Sequence, residues 1–253
     1  MNEESLYSLL LVIARVSSFF VATPFFSTRS VPNVVKIFIA IIVSLITHLT
    51  IPTEQVAPTQ MIEFGLMIVR EALIGVVVGY SVNIIFLGIQ SAGDFIDLFA
   101  GLQMSSTYDP VTGTNGTFYS NIYNWIAILM FLNMEGHHYL ITGIVNSFIY
   151  IPIGETALIE IDINTIAMLL VKTFYLSLQL AFPIAIILFL IDIILGTISR
   201  VVPQINVFIL GMPVKLALSA FMIYLITSGI LNGISWAIDI VIEMLNTMIK
   251  SIT

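Results

Sequence analysis

Long apolar runs, separated by short polar or proline-containing segments, fill most of this sequence. A helix needs about 20 predominantly apolar residues to cross the hydrocarbon core of a bilayer, and several of these runs reach that length. We place helices at residues 6–22, 34–51, 61–90, 118–134, 139–153, 164–199, 205–231 and 233–250. The pattern therefore predicts an all-α integral membrane protein of long, kinked helices and helical hairpins.

Some of these predicted helices depart from the length of one simple span. Residues 118–134 and 139–153 are marginally short, and the polar segment 135–138 between them leaves room only for a tight helical hairpin. Residues 61–90 and 164–199 are longer than one span, so these helices must tilt, kink or project beyond the bilayer.

Two glycine pairs have the spacing that lets helices approach closely. They are Gly75 with Gly79 and Gly229 with Gly233, each separated by three residues. Small residues at this spacing remove the side-chain bulk between two helices in a membrane. We expect tight helix–helix contacts at both pairs, as in one subunit of a larger assembly.

The longest polar stretch is 103–121, which contains Asp-Pro, Thr-Gly and Asn-Gly pairs. Such pairs favour turns, so the stretch is predicted to be a shaped loop. The preceding residues 91–104 place four apolar side chains on one face, Phe95, Leu98, Phe99 and Leu102, with Asp94, Asp97 and Gly101 elsewhere. This pattern predicts a separate amphipathic helix that lies in a membrane interface or against a partner.

Composition narrows the function classes. Apolar residues make up 58% of the chain and charged residues 9%, against about 45–50% and about 25% in ordinary globular proteins. So few charges cannot cover a soluble protein of this size, and the mean hydropathy of +1.07 agrees with a membrane protein. The net charge of −7 without a basic tract argues against nucleic acid as a partner. Because cysteine is absent, disulfides and thiolate chemistry are excluded.

The sequence lacks the familiar catalytic patterns. HExxH, GxSxG, the phosphate-binding P-loop and the dinucleotide fingerprint do not occur. Tyr108-Asp109 matches half of an intramembrane aspartyl protease pattern, but no GxGD follows. Glu135, His137 and His138 resemble metal ligands, yet adjacent histidines cannot share one helix face. We expect no enzymatic activity, no metal and no cofactor.

Several charged residues lie inside predicted apolar helices: Arg15, Arg70, Glu71, Asp192 and Asp239. A bare charge at the bilayer centre costs roughly 2.5–3.5 kcal/mol on insertion scales, so each must meet water, a partner or the protein interior. One interpretation is an ion or proton path. The alternative is ion pairing between helices or subunits, which we favour because a proton-driven carrier usually shows more charges of this kind.

The segment 199–215 interrupts the apolar pattern near the end of the chain. The residues that disfavour a helix there are Pro203, Gly211 and Pro213. Backbone groups freed by a broken helix cannot remain in lipid, so the segment must be buried in protein or face water. Gln204 and Asn206 are candidates to hydrogen-bond those groups. Broken helices also build the substrate sites of secondary transporters.

Four stretches together carry a family resemblance. The sharpest is Arg200-Val-Val-Pro203-Gln204-Ile-Asn206-Val-Phe208 followed by Gly211-Met-Pro213. The others are Arg15 with Pro24-Phe25, Gln103-Met104 leading to Asp109-Pro110 and Gly113, and Gly136-His137 running to Phe148 and Pro152-Ile153-Gly154. In this order, over nearly the whole chain, they resemble the FliR family of flagellar type III export-gate membrane proteins.

The resemblance implies a non-enzymatic structural and gating subunit, without a cofactor, packed in a helical export-gate assembly. A single copy of such a chain assembles with several FliP-like and FliQ-like subunits and with FlhB-like and FlhA-like components, and unfolded flagellar proteins pass through the channel. The implied location is the bacterial inner membrane, within the flagellar basal body. Residues 1–253 then form a single chain, with 1–199 approximately FliP-like and 200–253 approximately a FliQ-like hairpin.

The same resemblance implies roles for two groups of residues. The loop 104–118 is expected to project into the channel as a plug, with the candidate residues Met104, Tyr108, Asp109, Pro110, Gly113 and Phe118. The broken-helix motif is expected to act in assembly, through Arg200, Pro203, Gln204, Asn206, Phe208, Gly211 and Pro213.

Two alternatives stay open on the sequence. The equivalent subunit of a virulence injectisome has the same architecture. A stand-alone secondary transporter would use the broken helix as its substrate site, but it should repeat that helix in its other half. We find no such repeat of 199–215.

Overall fold

A computed structural model describes residues 3–27, 31–51, 60–103, 107–108, 115–154, 163–202 and 207–251. Its helices are α1 (Glu3–Ala22), α2 (Pro24–Ser27), α3 (Asn33–Thr50), α4 (Met61–Ala100), α5 (Phe118–Asn133), α6 (Gly136–Tyr150), α7 (Ile163–Val201) and α8 (Val207–Ser251). The strands β1 (Thr107–Tyr108) and β2 (Asn115–Gly116) form a short antiparallel pair. Because every other described element is helical, the prediction of an all-α membrane protein is confirmed.

Local sequence explains where several helices end. α4 ends before Gly101, whose φ of +79° suits a residue without a Cβ. The Leu102 N–H then donates to the Asp97 carbonyl at 2.9 Å, which closes the last turn. α7 ends at Val201, two residues before Pro203, as expected where proline restricts the preceding backbone. The predicted break between these two helices is confirmed: α5 ends at Asn133, α6 begins at Gly136, and Glu135 lies in the turn between them at a φ of 58°.

Three predicted helix boundaries are wrong. The expected helices 61–90 and 91–104 are one helix, α4, because nothing between residues 61 and 100 forces a break. The expected helices 205–231 and 233–250 are likewise one helix, α8, since a glycine weakens a helix without ending it. α8 also passes through Gly211 and Pro213. The predicted break at these two residues is therefore wrong.

The chain divides into two compact units. The first contains residues 1–85, 131–170 and 239–253, and the second contains residues 86–130 and 171–238.

In the first unit, α1 packs along α3 and against the first half of α4. A Cβ at Gly79 would lie 2.7 Å from the Phe19 carbonyl oxygen, and one at Gly75 would meet Ser18 and the Arg15 carbonyl. The two glycines therefore let the backbones of α1 and α4 approach, as predicted from their spacing. Ser44 of α3 is also buried here, and its hydroxyl donates to the Ala40 carbonyl of its own helix.

In the second unit, α4 packs on α7 through aromatic pairs. The ring centroids of Phe95 and Phe174 are 6.4 Å apart, and those of Phe99 and Phe189 are 6.3 Å apart. A Cβ at Gly233 would lie 2.6 Å from the Leu180 Cδ2 atom, so α8 also approaches α7 closely. At Gly229 a Cβ would meet only its own helix, through Ile226, among the described residues. The predicted contact is therefore made by Gly233.

Five of the described helices contain stretches long and apolar enough to cross a membrane: Ser5–Ala22, Asn33–Thr50, Met61–Ala100, Ile163–Val201 and Gly211–Leu245. Neither α5 nor α6 is among them. Many large apolar side chains on these helices are exposed, including Phe38 of α3 and Phe174 and Phe182 of α7. Apolar faces of this extent need lipid or neighbouring protein to cover them.

A buried guanidinium joins three helices in the first unit. Arg15 of α1 is fully buried, and its Nε donates to Glu71 Oε2 of α4 at 2.5 Å. Its Nη1 donates to the carbonyl oxygens of Ser147 at 3.1 Å and Ile151 at 2.9 Å, at the end of α6. The Phe148 ring lies 4.2 Å from its Cζ. The positive charge thus meets a carboxylate and the negative end of a helix dipole.

We expect Glu71→Gln to destabilise the full-length protein strongly. This change leaves a buried guanidinium without its counter-ion, and breaking a buried ion pair from one side costs about 3–5 kcal/mol. The midpoint of thermal unfolding, measured on protein purified in detergent, should fall. The double variant Arg15→Met/Glu71→Met should lose less than the two single Met variants together, because it leaves no unpaired charge.

Glu243→Gln is the matched control, since Glu243 is exposed on α8. It makes the same chemical change outside the buried pair and should leave the midpoint near that of the native protein. A Glu71→Gln protein that melts like the control would contradict the importance of the pair.

Candidate functional site

The described part of the predicted plug loop lies between α4 and α5. Tyr108 is in β1, and its Cα pairs with that of Asn115 in β2. Phe118 is the first residue of α5 and is 58% exposed. The other candidate plug residues lie outside the described residues: Met104, Asp109, Pro110 and Gly113.

A carboxylate from α4 caps the first turn of α5. Asp97 is fully buried, and its Oδ2 accepts hydrogen bonds from the backbone N–H groups of Tyr119 at 2.9 Å and Ser120 at 3.1 Å. These N–H groups have no acceptor within their own helix, because they belong to its first turn. A negative charge at a helix N-terminus is also favourable with respect to the helix dipole.

A second aspartate holds the residue that precedes α5. The Thr117 hydroxyl donates to Asp94 Oδ1 at 2.9 Å. Beside it, a Cβ at Gly93 would lie 2.6 Å from the Tyr119 carbonyl carbon. Only a glycine at this position allows α4 and the start of α5 to lie so close together. The C-terminal base of the loop is therefore in direct contact with α4.

A buried hydroxyl pair joins the same turn to α8. Tyr119 Oη and Ser219 Oγ share a hydrogen bond of 2.7 Å. Burial raises the pKa of the Tyr119 phenol; the bond to Ser219 opposes this rise, and the Asp97 charge adds to it. Burial also raises the pKa of Tyr123, one turn further along α5. Both phenols therefore stay neutral at physiological pH, so Tyr119 keeps its proton for this hydrogen bond.

The structure places only part of the broken-helix motif. Arg200 is exposed in the last turn of α7. Gly211 is buried in α8, where a Cβ would lie 3.0 Å from Leu195 Cδ1 of α7, and Pro213 is exposed. The side chain of Phe208, and all of Pro203, Gln204 and Asn206, lie outside the described residues.

Among the described residues, three of the five charged residues predicted within apolar helices take part in two separate ion pairs. Besides Arg15 with Glu71, Lys215 of α8 pairs with Asp192 of α7. Arg70 is half-buried, and its Nε has no hydrogen-bond partner among the described residues. Asp239 is exposed on α8. This arrangement resembles ion pairing between helices more than a continuous line of charges.

The described residues offer no group of three or more histidine, aspartate or glutamate side chains placed to hold a metal ion. Glu135 Oε2 and His138 Nδ1 are 3.6 Å apart, and both side chains are exposed at the α5–α6 turn. The carboxylate of Asp97 is engaged by backbone N–H groups.

Sequence reasoning missed the anchoring role of Asp94 and Asp97. It assigned both residues to a separate amphipathic helix, as the polar side opposite its apolar face. A partial signal was present, because Thr117 just before α5 is a typical N-cap residue. The sequence could not show that a carboxylate from another helix would take the cap.

Comparisons with known proteins give a consistent result. The family described as "Bacterial export proteins, family 1" matches residues 6–240. The "Flagellar biosynthetic protein FliR" of Bacillus subtilis is 32% identical over 95% of this chain and 93% of its own length. Proteins of the same name are 31% identical in Pectobacterium carotovorum, over 80% of this chain and 77% of their own, and 30% identical in Escherichia coli, over 83% and 78%.

The match covers nearly all of α1, the two aspartates of α4 that bond to the start of α5, the helices α5 and α6, and most of α8. It therefore includes the elements described above rather than one isolated segment. The chain belongs to the FliR family of bacterial export proteins.

Proposed function

We propose that this chain is a non-enzymatic structural and gating subunit of the flagellar type III protein export gate. It helps to form the channel through which unfolded flagellar proteins are secreted, and it closes that channel at rest. The observation that carries the proposal is the family match over residues 6–240, together with relatives named as flagellar biosynthetic proteins. Because those relatives are named for flagella, flagellar use is favoured over use in an injectisome.

The proposed partners are FliP-like and FliQ-like subunits, with FlhB-like and FlhA-like components, around a single copy of this chain. The exposed apolar faces of α3 and α7 support such an assembly, because protein neighbours would cover them as well as lipid does. The proposed location is the bacterial inner membrane, within the flagellar basal body.

The proposal divides the chain into a FliP-like part, 1–199, and a FliQ-like part, 200–253. The described residues 207–251 form one helix, α8. The expected hairpin within 200–253 is therefore wrong, because the described residues of this part beyond α7 hold a single helix. A FliQ-like hairpin would instead pair α8 with α7 (Ile163–Val201), most of which belongs to the 1–199 part. The broken-helix motif is proposed to act in assembly with the neighbouring subunits.

A stand-alone carrier is the weaker interpretation. It would use the backbone around Gly211 and Pro213 as a substrate site, which requires an unwound helix at that point. α8 is helical through both residues. The printed names of the relatives also point to biosynthesis of flagella, not to solute transport.

The loop 104–118 is the proposed plug. Replacing residues 109–114 with the dipeptide Asn-Gly should open a leak for small ions, because it shortens the tip. The pairing of Tyr108 with Asn115 suits a two-residue turn, and Asn-Gly is a preferred sequence for it. The base of the loop therefore stays as it is. The measurement is the resting conductance of the reconstituted export gate in a planar bilayer.

The control replaces the same six positions with a Gly/Ser sequence of equal length. This variant keeps the length and loses the native side chains, so it separates the two contributions. Sealed assemblies with the shortened loop would contradict the plug role.

A second prediction concerns the residues between α7 and α8. Gln204→Leu and Asn206→Leu should each reduce the amount of assembled gate, because a freed backbone group without a polar partner costs about 1–3 kcal/mol. The yield of the heavy complex after affinity purification measures this effect. Thr197→Val is the control, since the Thr197 hydroxyl is exposed and donates within its own helix. Normal yield from both Leu variants would refute the assembly role.

A further inference from the structure

We propose that Asp97, assisted by Asp94, is the positioning residue that fixes the C-terminal base of the loop to α4 during both closure and secretion. This inference rests on the proposed function, because it concerns the loop that we assign as the plug. It adds that residues 117–120 stay bonded to α4 when secretion displaces the rest of the loop.

The N-terminus of α5 is capped by a side chain of α4. Thr117 stands at the N-cap position, but its hydroxyl hydrogen is directed to Asp94. The N–H groups of the second and third helical residues, Tyr119 and Ser120, both donate to Asp97 Oδ2. The helix therefore obtains its cap from another helix rather than from its own preceding residue. If this base moved away from α4, α5 would lose its cap.

The contact between α4 and the first turn of α5 is tightly packed. Asp97 and Ser120 are both fully buried. A Cβ at Gly93 would lie only 2.4 Å from the Ser120 Cα atom, closer than real Cβ atoms approach other atoms. The hydrogen bond from Tyr119 to Ser219 adds a contact with α8 on the same turn. Displacement of residues 117–120 would break all of these contacts together.

Asp97 also takes part in the turn that ends α4, just before the loop begins. Gly101 and Leu102 close the last turn of α4, with the Leu102 N–H bonded to the Asp97 carbonyl. The backbone of Asp97 thus closes the end of α4 just before the loop, and its side chain holds the first turn of α5 just after it. A residue so placed sets the position from which the loop starts and to which it returns.

The structure also supplies a conservative replacement. Asp97 Oδ1 has no hydrogen-bond partner among the described residues, whereas Oδ2 makes both capping bonds. Asparagine can present its amide oxygen to the two N–H groups and its NH₂ at the unused position. Leucine has a similar size but no acceptor. Asp97→Asn and Asp97→Leu therefore form a matched pair that separates hydrogen bonding from volume.

The test uses the purified export gate with all its subunits. In Asp97→Leu, backbone amide hydrogen exchange in a peptide covering 117–123 should rise about tenfold, as expected for loss of a helix cap, and the reconstituted gate should leak. In Asp97→Asn, both exchange and resting conductance should stay near the native values. Thr117→Val is a milder variant that removes the hydroxyl bonded to Asp94 but keeps both backbone bonds to Asp97, so it should raise exchange by a smaller factor. It keeps the test decisive if Asp97→Leu does not assemble.

Native exchange in Asp97→Leu, or in Thr117→Val where only that variant assembles, overturns the anchor whatever the conductance shows. Raised exchange in a sealed Asp97→Leu gate also overturns the positioning role, provided that the gate with the shortened loop leaks. If the shortened loop itself stays sealed, the proposed plug role fails instead, and the exchange result alone decides whether Asp97 anchors α5.

Discussion

The burial of the Arg15 guanidinium is the constraint on which the first unit depends. A charge removed from water must be matched by acceptors, and here they come from two other helices. Glu71 of α4 supplies the carboxylate, and the end of α6 supplies two carbonyl oxygens. Because all three groups must meet at one point, the pair sets the relative position of α1, α4 and α6 more sharply than apolar packing alone does.

In the second unit, a buried carboxylate holds a helix end, as the buried guanidinium does in the first. Asp97 places a negative charge at the start of α5, where N–H groups lack acceptors, as Arg15 places a positive charge at the end of α6. The first turn of α5 and the end of α6 are thus each held by a side chain from another helix. Short helices with few charges of their own are held in place in this way, although neither is long enough to be a candidate span.

This arrangement suits a member of an export-gate family. The long helices expose apolar faces suited to lipid or neighbouring subunits, and the few charges are used within the chain to hold helices together. The loop leaves the end of α4, and the first turn of α5 at its other end is hydrogen-bonded to Asp97 of α4. Its position is therefore linked to the packing of that unit. The plug that we propose needs such a fixed reference if it is to close again after displacement.

The sequence by itself determined the membrane class, the all-α fold, most helix positions and the family, because apolar length, proline and turn residues act locally. It did not determine that residues 61–100 and 207–251 are each one helix, since neighbouring packing carries a helix through an amphipathic stretch or a glycine. Only the tertiary structure decided the partners of Arg15 and Asp97. Glu71 is 56 residues from Arg15, and Tyr119 is 22 residues from Asp97, so no local pattern could join them. A charged residue in an apolar run predicts that a partner exists. The identity of that partner depends on which helices pack against it in the folded protein.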